Sequence, residues 1–326
     1  MSGRTVDYPD AQTGKIMSDQ ETAPGIHVGC AGWTLPKELA TIHAMLGRSP
    51  AEQSRELLNP GADLTDPRLA SNRNDGNSAT EDLEDTARSG RRPPCHLTRY
   101  ADLFPAVEIN SSFYRLHRPS TYARWRSDTP AGFRFAVKLP RLLTHEQKLA
   151  LDPMLLDEFF RGVIELGEKL GCVLVQLPPS LRWDAGVAVP FLQSLRERTT
   201  VDIVCEPRHR SWFEDGVTDL LRNMQIGRVA ADPACVPSAA VPGGDERVVY
   251  YRWHGSPRMY YSEYGLSRLR ELCQLLTAAQ ESADRRIWCI FDNTAAGAAL
   301  LNAAQLQSLL RKTPAFAMPS LVGQSH

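Results

Sequence analysis

Charged and amide side chains close most of the short apolar runs in this 326-residue sequence. The run ends are Gly29-Cys30, Glu108-Ile109-Asn110, Lys138, Gln176, Glu206, Asp232, Arg252-Trp253-His254 and Asp292-Asn293. Because side chains alternate faces along a strand, Glu108 shares a face with Asn110, and Arg252 shares a face with His254. We expect Ile109 and Trp253 to face helices, which would leave the polar side chains in one shared pocket.

Four carboxylates and three cations supply the chemistry of this predicted pocket. A carboxylate can be a general acid or base if its neighbours separate its pKa from those of the others. Mixed charges suit a small substrate with anionic and hydroxyl groups, such as a sugar acid or a sugar phosphate. The carboxylates are Glu108, Glu206, Asp232 and Asp292, and the cations are Lys138, Arg208 and Arg252. We predict catalytic roles for Glu108, Lys138, Glu206 and Asp232; for Glu108 and Glu206 the alternative is a structural ion pair with Arg208 or Arg252.

Lys138 has two possible roles in such a pocket. A Schiff-base nucleophile needs a lowered pKa, which burial or nearby cations provide. Surrounding carboxylates instead favour the charged amine. The sequence therefore favours an electrostatic role for Lys138.

Substrate-binding roles fall to the remaining polar and aromatic residues near the run ends. Aromatic rings there stack on a sugar or a base, or simply pack loops. The predicted binding residues are Asn110, Gln176, Arg208, Arg252, His254, Asn293, Trp33, Tyr114 and Trp212.

An anion site is predicted at the seventh and eighth run ends. Arg252, His254 and the Gly255 backbone would meet the start of a helix near Ala295, capped by Asn293 or Thr294. The alternative is an ion pair between Asp292 and Arg252, with Asn293 only capping the helix.

A metal centre is possible but has no compact motif. His27, His145, His209 and His254 are suitable ligand types beside the carboxylates. No H-E-x-x-H spacing occurs, and cations nearby disfavour a divalent ion. We predict no metal ligand and no specific cofactor, with metal-dependent phosphoester hydrolysis as an alternative function. Neither a G-x-S-x-G elbow nor a P-loop is present.

Composition limits the partners of the protein. The net charge of −1 and the neutral pI of about 6.7 provide no global basic field for nucleic acid. A non-catalytic ligand or nucleic-acid binder, using Arg115, Arg118 and Arg124, is the second alternative. No apolar stretch is long enough for a membrane helix, no secretory signal is evident at the N-terminus, and seven cysteines without a C-x-x-C pair suit a cytoplasmic location.

The elements that must position these residues alternate regularly. Eight β-branched apolar runs are predicted as strands: Ile26–Ala31, Ala106–Ile109, Phe133–Lys138, Cys172–Leu177, Val201–Glu206, Ile226–Asp232, Val248–Trp253 and Ile287–Asp292. Helical patterns separate most of them; the clearest starts at Asp152-Pro153 and should stop at Gly171. Only the Asp232–Val248 connection promises no full helix. Apolar runs spaced by helices predict a parallel α/β fold, and eight of them favour a single TIM-type (β/α)8 barrel.

The domain prediction follows from the same pattern. We expect a flexible N-terminal tail over 1–24, one barrel over 25–318 and a C-terminal tail over 319–326. Turn-forming and polar residues over 37–94 predict a long, partly disordered insertion after the first strand.

The sequence also resembles the YecE-like proteins, a family classed as a domain of unknown function. The matching stretches are Gly29-Cys30-Ala31-Gly32-Trp33, Val107 to Arg115, Phe135 to Lys138, His145-Glu146, Gln176 to Pro179, Glu206 to Trp212, Tyr251 to Gly255 and Phe291-Asp292-Asn293. The resemblance implies a TIM-type barrel and supplies no reaction. The family's first loop is normally shorter than 37–94, and the family usually has Asn-Asn where this chain has Asp292-Asn293.

Overall fold

A computed structural model describes residues 25–35, 42, 95–282 and 284–312 of the chain. The predicted tails at 1–24 and 319–326 and nearly all of the 37–94 insertion lie outside the described residues. The fold and the site are therefore built from the part of the chain that carries the eight predicted strands.

Ten strands in the described ranges form two sheets. They are β1 (Ile26–Cys30), β2 (Ala106–Ile109), β3 (Arg134–Lys138), β4 (Leu170–Gln176), β5 (Asp202–Glu206), β6 (Ile226–Arg228), β7 (Ala230–Asp232), β8 (Gly243–Gly244), β9 (Val248–Trp253) and β10 (Arg286–Phe291). One sheet has the order β2-β3-β4-β5-β6-β8 and the other β1-β10-β9-β7. Every pair is parallel except β6 with β8. The predicted parallel α/β fold is confirmed, although strand pairing gives two sheets and not one closed barrel.

The predicted strand over Ile226–Asp232 is divided at Val229. The Val229 amide donates to the Cys205 carbonyl at 2.9 Å, which continues the pairing of β6 with β5. The next three residues pair with β9 instead. One continuous chain segment therefore contributes a strand to each sheet.

The two sheets also meet where β1 lies beside β2. An isolated parallel bridge joins Ala31 to Glu108, and the Gly32 amide donates to the Glu108 carbonyl at 3.0 Å. This short contact replaces a longer ladder between the two strands.

Tyr100 supplies hydrogen bonds at the same junction. Its hydroxyl accepts from the Cys30 amide at 2.8 Å and donates to the Ala106 carbonyl at 2.9 Å. A β-carbon on Gly29 would lie 2.1 Å from that carbonyl oxygen, so only glycine permits this approach of the strands. A buried hydroxyl thus satisfies two backbone groups that the ladder leaves unpaired.

Seven α-helices are described. They are α1 (His96–Ala101), α2 (Pro119–Ser127), α3 (Pro153–Val163), α4 (Ala185–Arg198), α5 (Asp215–Asn223), α6 (Leu266–Gln280) and α7 (Ala298–Lys312). Between Asp232 and Val248 the described chain forms only a short 3-10 turn and β8, so the prediction of no full helix there is confirmed. None of the described helices is long and apolar enough to cross a membrane.

Helix α3 starts as predicted and ends earlier. The Asp152 carboxylate accepts from the Leu155 amide at 3.0 Å, which is an N-cap. The chain then leaves the helix through a 3-10 turn in which Gly167 has a φ of 56°, a conformation that glycine adopts without strain. Gly171, predicted to stop the helix, lies inside β4, where an added β-carbon would meet the Trp288 ring at 2.6 Å.

The buried side chains form two separate clusters on opposite faces of the strands. The larger cluster contains Ile109 and Trp253 together with helix residues. The smaller cluster is made of strand and strand-flanking residues: Ala31, Ala106, Ala136, Cys172, Leu174, Val204, Val229, Val248, Tyr250, Trp288 and Ile290. Because side chains alternate faces along a strand, the polar side chains at the carboxyl ends of the strands share the face of the smaller cluster. These side chains are Glu108, Lys138, Gln176, Glu206, Arg252 and Asp292.

Candidate active site

Arg252, near the end of β9, lies at the centre of a group of carboxylates. Its Nη1 donates to Glu206 Oε2 at 2.6 Å and its Nη2 to Asp292 Oδ2 at 3.0 Å. Nε and Nη2 also donate to Glu108, at 2.9 and 2.6 Å. The Arg252 side chain is 0% exposed, and the three carboxylates raise its pKa further above the ordinary value, although burial acts in the opposite direction. Arg252 therefore holds the site together as a permanent buried cation.

His254 continues the same strand face and bridges two of these carboxylates. Its Nε2 lies 2.9 Å from Glu206 Oε1, and its Nδ1 lies 3.0 Å from Asp292 Oδ2. A neutral imidazole can donate to only one of them, whereas the doubly protonated ring donates to both. The arrangement is a buried carboxylate–imidazole–carboxylate chain, which provides a route for a proton.

The two carboxylates of this chain are held in their ionised form. Burial alone would raise the pKa of Glu206, but Arg252, His254 and Arg208 outweigh it and hold the pKa well below the ordinary value. For Asp292, burial is likewise outweighed, chiefly by Arg252 and His254, and the pKa is lowered. Both groups are therefore ionised at neutral pH.

Arg208 lies at the solvent side of Glu206. Its Nε donates to Glu206 Oε1 at 3.0 Å, and Nη2 lies 2.9 Å from the same oxygen. Among the described residues, its Nη1 contacts only the Tyr260 hydroxyl at 3.5 Å and the Met259 sulfur at 3.8 Å. With 16% of its side chain exposed, Arg208 can offer this weakly used donor to a ligand.

Lys138, at the end of β3, is a buried amine on the same strand face as the other polar site residues. Burial, followed by the charge of Arg252, lowers its pKa to about 8, and the nearby carboxylates only partly oppose this shift. Its Nζ lies 4.0 Å from the centre of the Phe113 ring. Those carboxylates are already bound by guanidinium groups, so they only partly offset the effect of burial, and Lys138 is still mostly protonated at pH 7.

His145 lies beside Lys138 and extends this side of the site. Its ring packs edge-on against Phe113, with centroids 5.0 Å apart. Burial, then the charges of Lys138, Arg141 and Arg208, lower its pKa to about 4. A neutral imidazole at pH 7 therefore borders a cationic part of the site.

Tyr250 is a site residue that the sequence analysis missed. Its hydroxyl donates to Glu108 Oε2 at 2.9 Å from a fully buried position. Tyr250 precedes Arg252 by two residues, so the alternation rule that paired Arg252 with His254 would also have placed it on this face.

Asp232, predicted as catalytic, does not join the group. Its carboxylate pairs with Arg268 at 2.8 Å and accepts from the Tyr264 hydroxyl at 2.9 Å. Val229 belongs to the smaller cluster, so alternation turns Asp232 to the opposite, helix-covered face. The prediction that Asp232 shares the pocket was wrong because its side chain, at the end of β7, lies on the strand face opposite to that of Val229.

The structure does not form the anion site predicted from Arg252, His254 and a helix start near Ala295. Arg252 is buried among carboxylates and exposes no donor to an anion. It pairs with Asp292, which is the alternative that the sequence left open. The Asn293 amide donates to the Ser262 carbonyl and to Asn302 Oδ1, both at 2.9 Å. Helix α7 begins at Ala298, so Asn293 joins a loop to this helix and its side chain does not cap it.

Two predicted amide residues take different positions. Gln176 is buried on the site face, and its Nε2 donates to the Leu177 carbonyl at 2.8 Å. Asn110 lies beyond Glu108, and its Oδ1 is buried without a hydrogen-bond partner among the described residues. An unsatisfied buried acceptor of this kind can accept a hydrogen bond from a ligand or water.

The predicted aromatic residues do not form one stacking surface. Trp212 is 1% exposed within the larger cluster and donates to the Leu181 carbonyl at 3.0 Å. Trp33 packs edge-on against Trp125, with centroids 5.1 Å apart. Tyr114 is 78% exposed beside Phe113. Of the three, only Tyr114 has a ring free to cover a ligand.

Two further observations concern metal ligands and a cavity elsewhere in the fold. Within the described ranges, no three His, Cys, Asp or Glu side chains are grouped so as to hold a metal ion. A cavity of about 300 Å³ lies near the amino-terminal ends of β9 and β10, and none of the predicted site residues lines it. This cavity therefore lies apart from the polar groups at the carboxyl ends of the strands.

Comparisons with known proteins agree with this description. The family model "Protein of unknown function DUF72" matches residues 85–323. The UPF0759 protein YecE of Escherichia coli K12 is 32% identical over 149 residues, 44% of this chain and 54% of YecE. The chain thus spans about half the length of that relative. The UPF0759 protein YunF of Bacillus subtilis 168 is 26% identical over 246 residues, 66% of this chain and 86% of YunF.

Solved structures show the same fold. A DUF72 family protein from Enterococcus faecalis V583 has a TM-score of 0.61 at 18% identity, covering 88% of this chain and 96% of that one. A DUF72 family protein from Thermotoga maritima MSB8 has a TM-score of 0.53 at 26% identity, covering 68% and 91%. The family model and the relatives lead to one conclusion: this chain belongs to the DUF72 family, and the predicted YecE-like resemblance is confirmed.

Proposed function

We propose that the protein is an enzyme that performs acid–base chemistry on a small polar, anionic substrate, in the class of sugar acids and sugar phosphates. The observation that carries the proposal is His254, buried between Glu206 at 2.9 Å and Asp292 at 3.0 Å. An imidazole oriented by a carboxylate on one nitrogen and facing a second acceptor on the other is the arrangement that proton-transfer enzymes use.

The proposed roles follow from the contacts of each group. Arg252 and Tyr250 both donate to Glu108, so their proposed role is to position this carboxylate. Glu206 and His254 are the proton-transfer pair, because Glu206 borders the partly exposed Arg208. Glu108, bound by Arg252 and Tyr250, orients the pair and is not itself the base.

Arg208 supports the anionic part of the proposal. Its Nη1 has no carboxylate partner among the described residues, and a guanidinium donor binds a phosphate or carboxylate oxygen strongly. His145 lies on the same side, because the charges of both Lys138 and Arg208 contribute to the lowering of its pKa. The anion contact is therefore proposed at Arg208, in place of Arg252.

We also propose that the two sheets form one TIM-type barrel. The Ala31–Glu108 bridge joins one end of the two sheets, and the single residue Val229 separates β6 from β7 at the other. A barrel would explain why a second buried cluster consists of residues of strands and their flanks alone. It would also place the polar residues where barrel enzymes carry their active sites.

The functional proposal is tested with a panel of sugar acids and sugar phosphates in D2O, followed by proton NMR. Wild-type protein should convert at least one compound or exchange one of its carbon-bound hydrogens. His254→Gln should reduce that rate by about 100-fold or more, the usual contribution of a general acid or base. His96→Gln, at an exposed helix start, is the matched control and should keep the wild-type rate.

Other outcomes of this experiment decide between functions. Binding of panel members without exchange or conversion would favour a non-catalytic ligand-binding protein. An activity that the His254→Gln protein retains would contradict the assignment of the proton-transfer pair.

A further inference from the structure

Lys138 is a buried amine that the proton-transfer pair does not use. It ends β3 on the face of Ala136, a member of the smaller cluster, and is 7% exposed. Its Nζ rests against the Phe113 ring, 4.0 Å from the centre, and no ion pair with a described carboxylate holds it. A buried lysine without such a partner is unusual, since charged groups in proteins are generally paired when they are buried.

The carboxylates that surround Lys138 are occupied by other cations. Arg252 binds Glu108, Glu206 and Asp292, and Arg208 and His254 share Glu206. Arg252 therefore neutralises the groups that would stabilise a protonated amine, and its own charge opposes a second buried cation. Lysines desolvated beside another cation are the kind that act as amine nucleophiles.

We propose that Lys138 is a nucleophile that forms an imine with the aldehyde or ketone group of an anionic substrate. This inference rests on the proposed function and deepens it, because it specifies a carbonyl compound. Arg208 would hold the anionic end, and the carbonyl would meet Nζ near Phe113.

The step is balanced without any further reagent. The Nζ lone pair attacks the carbonyl carbon, the carbonyl π pair moves to oxygen, and proton transfer gives a neutral carbinolamine. Loss of the hydroxyl group together with the one remaining hydrogen on nitrogen, as water, leaves a carbon–nitrogen double bond. Glu206 and His254 are suited to carry protons to and from the carbon beside that imine. The lowered pKa of Lys138, about 8, leaves a useful fraction of free amine at neutral pH.

Reductive trapping tests this directly. Full-length protein is incubated at pH 7.5 with dihydroxyacetone phosphate or with pyruvate, reduced with sodium cyanoborohydride, and analysed by intact mass and peptide mapping. At this pH an amine with a pKa of about 8 is unprotonated roughly 200 times as often as one at the ordinary value of about 10.4. We expect at least a ten-fold higher labelled fraction at Lys138 than at the exposed Lys148.

Variants and pH make the result decisive. Lys138→Arg keeps a cation and should lose the specific label, whereas Lys148→Arg should keep it. Labelling should rise as pH increases through about 8, the range set by burial and by Arg252 against Glu108, Asp292 and Glu206. Equal labelling of Lys138 and Lys148, or a specific label that persists in Lys138→Arg, would overturn the proposal. The Lys138→Arg protein could also exchange the substrate hydrogen at the wild-type rate, with an exchange that still depends on His254. That result would overturn the imine proposal and leave the proposed acid–base function intact.

Discussion

Arg252 and Glu108 form a two-bonded ion pair across 144 positions of the sequence, with Nε 2.9 Å from Oε2 and Nη2 2.6 Å from Oε1. The pair joins β9 of one sheet to β2 of the other. The same guanidinium reaches Glu206 on β5 and Asp292 after β10. One buried cation thus links both sheets and fixes the carboxylates on which the proposed chemistry depends.

Removing this cation should strongly destabilise the fold. In Arg252→Met, three buried carboxylates lose their common partner, and breaking a buried ion pair from one side costs about 3–5 kcal/mol. Urea unfolding of the variant and wild type measures the difference. Arg222→Met, at a partly exposed arginine paired with Asp219 on α5, should change the free energy of unfolding by no more than about 0.5 kcal/mol. Equal losses in the two variants would contradict the central role of Arg252.

Acid should weaken the fold through Glu206 and Asp292. Both pKa values are lower in the folded protein than the ordinary carboxyl value. Such groups stabilise the fold fully above their unfolded pKa, and this stabilisation is lost as pH falls below about 4.5 towards the folded pKa. Melting temperature measured from pH 7 to pH 3 should therefore fall less steeply for Glu206→Gln than for wild type. Parallel curves would show that Glu206 does not carry this dependence.

Lys138 should lower stability at neutral pH. Its folded pKa of about 8 lies below the ordinary lysine value of 10.5, so the charged amine destabilises the fold below pH 8, and the penalty is relieved as pH rises towards 10.5. Lys138→Met should be more stable than wild type at pH 7, by up to about 3 kcal/mol. The difference in urea unfolding should narrow between pH 8 and pH 10.

Lys148→Met is the control for that measurement. Lys148 is exposed, so its replacement should leave stability nearly unchanged at each pH. A Lys138→Met protein that is less stable than wild type at pH 7 would show that the amine is stabilised by its surroundings.

Tyr100 should matter for the junction of β1 and β2. Tyr100→Phe leaves the Cys30 amide and the Ala106 carbonyl buried and unpaired, which costs about 2 kcal/mol or more. Tyr122→Phe is a matched control, because the Tyr122 hydroxyl is buried without a hydrogen-bond partner among the described residues. Thermal and urea unfolding should show a loss for the first variant only. Similar effects of both variants would mean that the Tyr100 hydroxyl does not join the strands.

Local pattern was enough to predict the strands and much of the site. Two-residue alternation correctly placed Glu108 on one face, and Arg252 and His254 together on theirs, since strand geometry depends only on neighbouring residues. The same alternation, counted from Val229 in the smaller cluster, places Asp232 on the helix-covered face. A strand-end position alone does not decide which face a side chain takes.

Properties set by distant residues could not be read from the sequence. The donors of Arg252 bind carboxylates that tertiary packing brings from β2, β5 and the end of β10. The lowered pKa of Lys138 depends on burial and on Arg252, and the number of nearby carboxylates pointed the other way. Gly171 looked like a helix stop, whereas its lack of a side chain admits the Trp288 ring from another strand.

Glu206 and His254 are proposed to transfer a proton of a bound substrate. The most direct test replaces one carboxylate oxygen of Glu206 by an amide nitrogen, in Glu206→Gln. The rate of hydrogen exchange or conversion of the compound identified in D2O is compared in wild type, Glu206→Gln and the exposed-site control Glu158→Gln, with unfolding curves confirming that each is folded. The account predicts a loss of about 100-fold or more for Glu206→Gln and a wild-type rate for Glu158→Gln. A folded Glu206→Gln protein that works at the wild-type rate would contradict it.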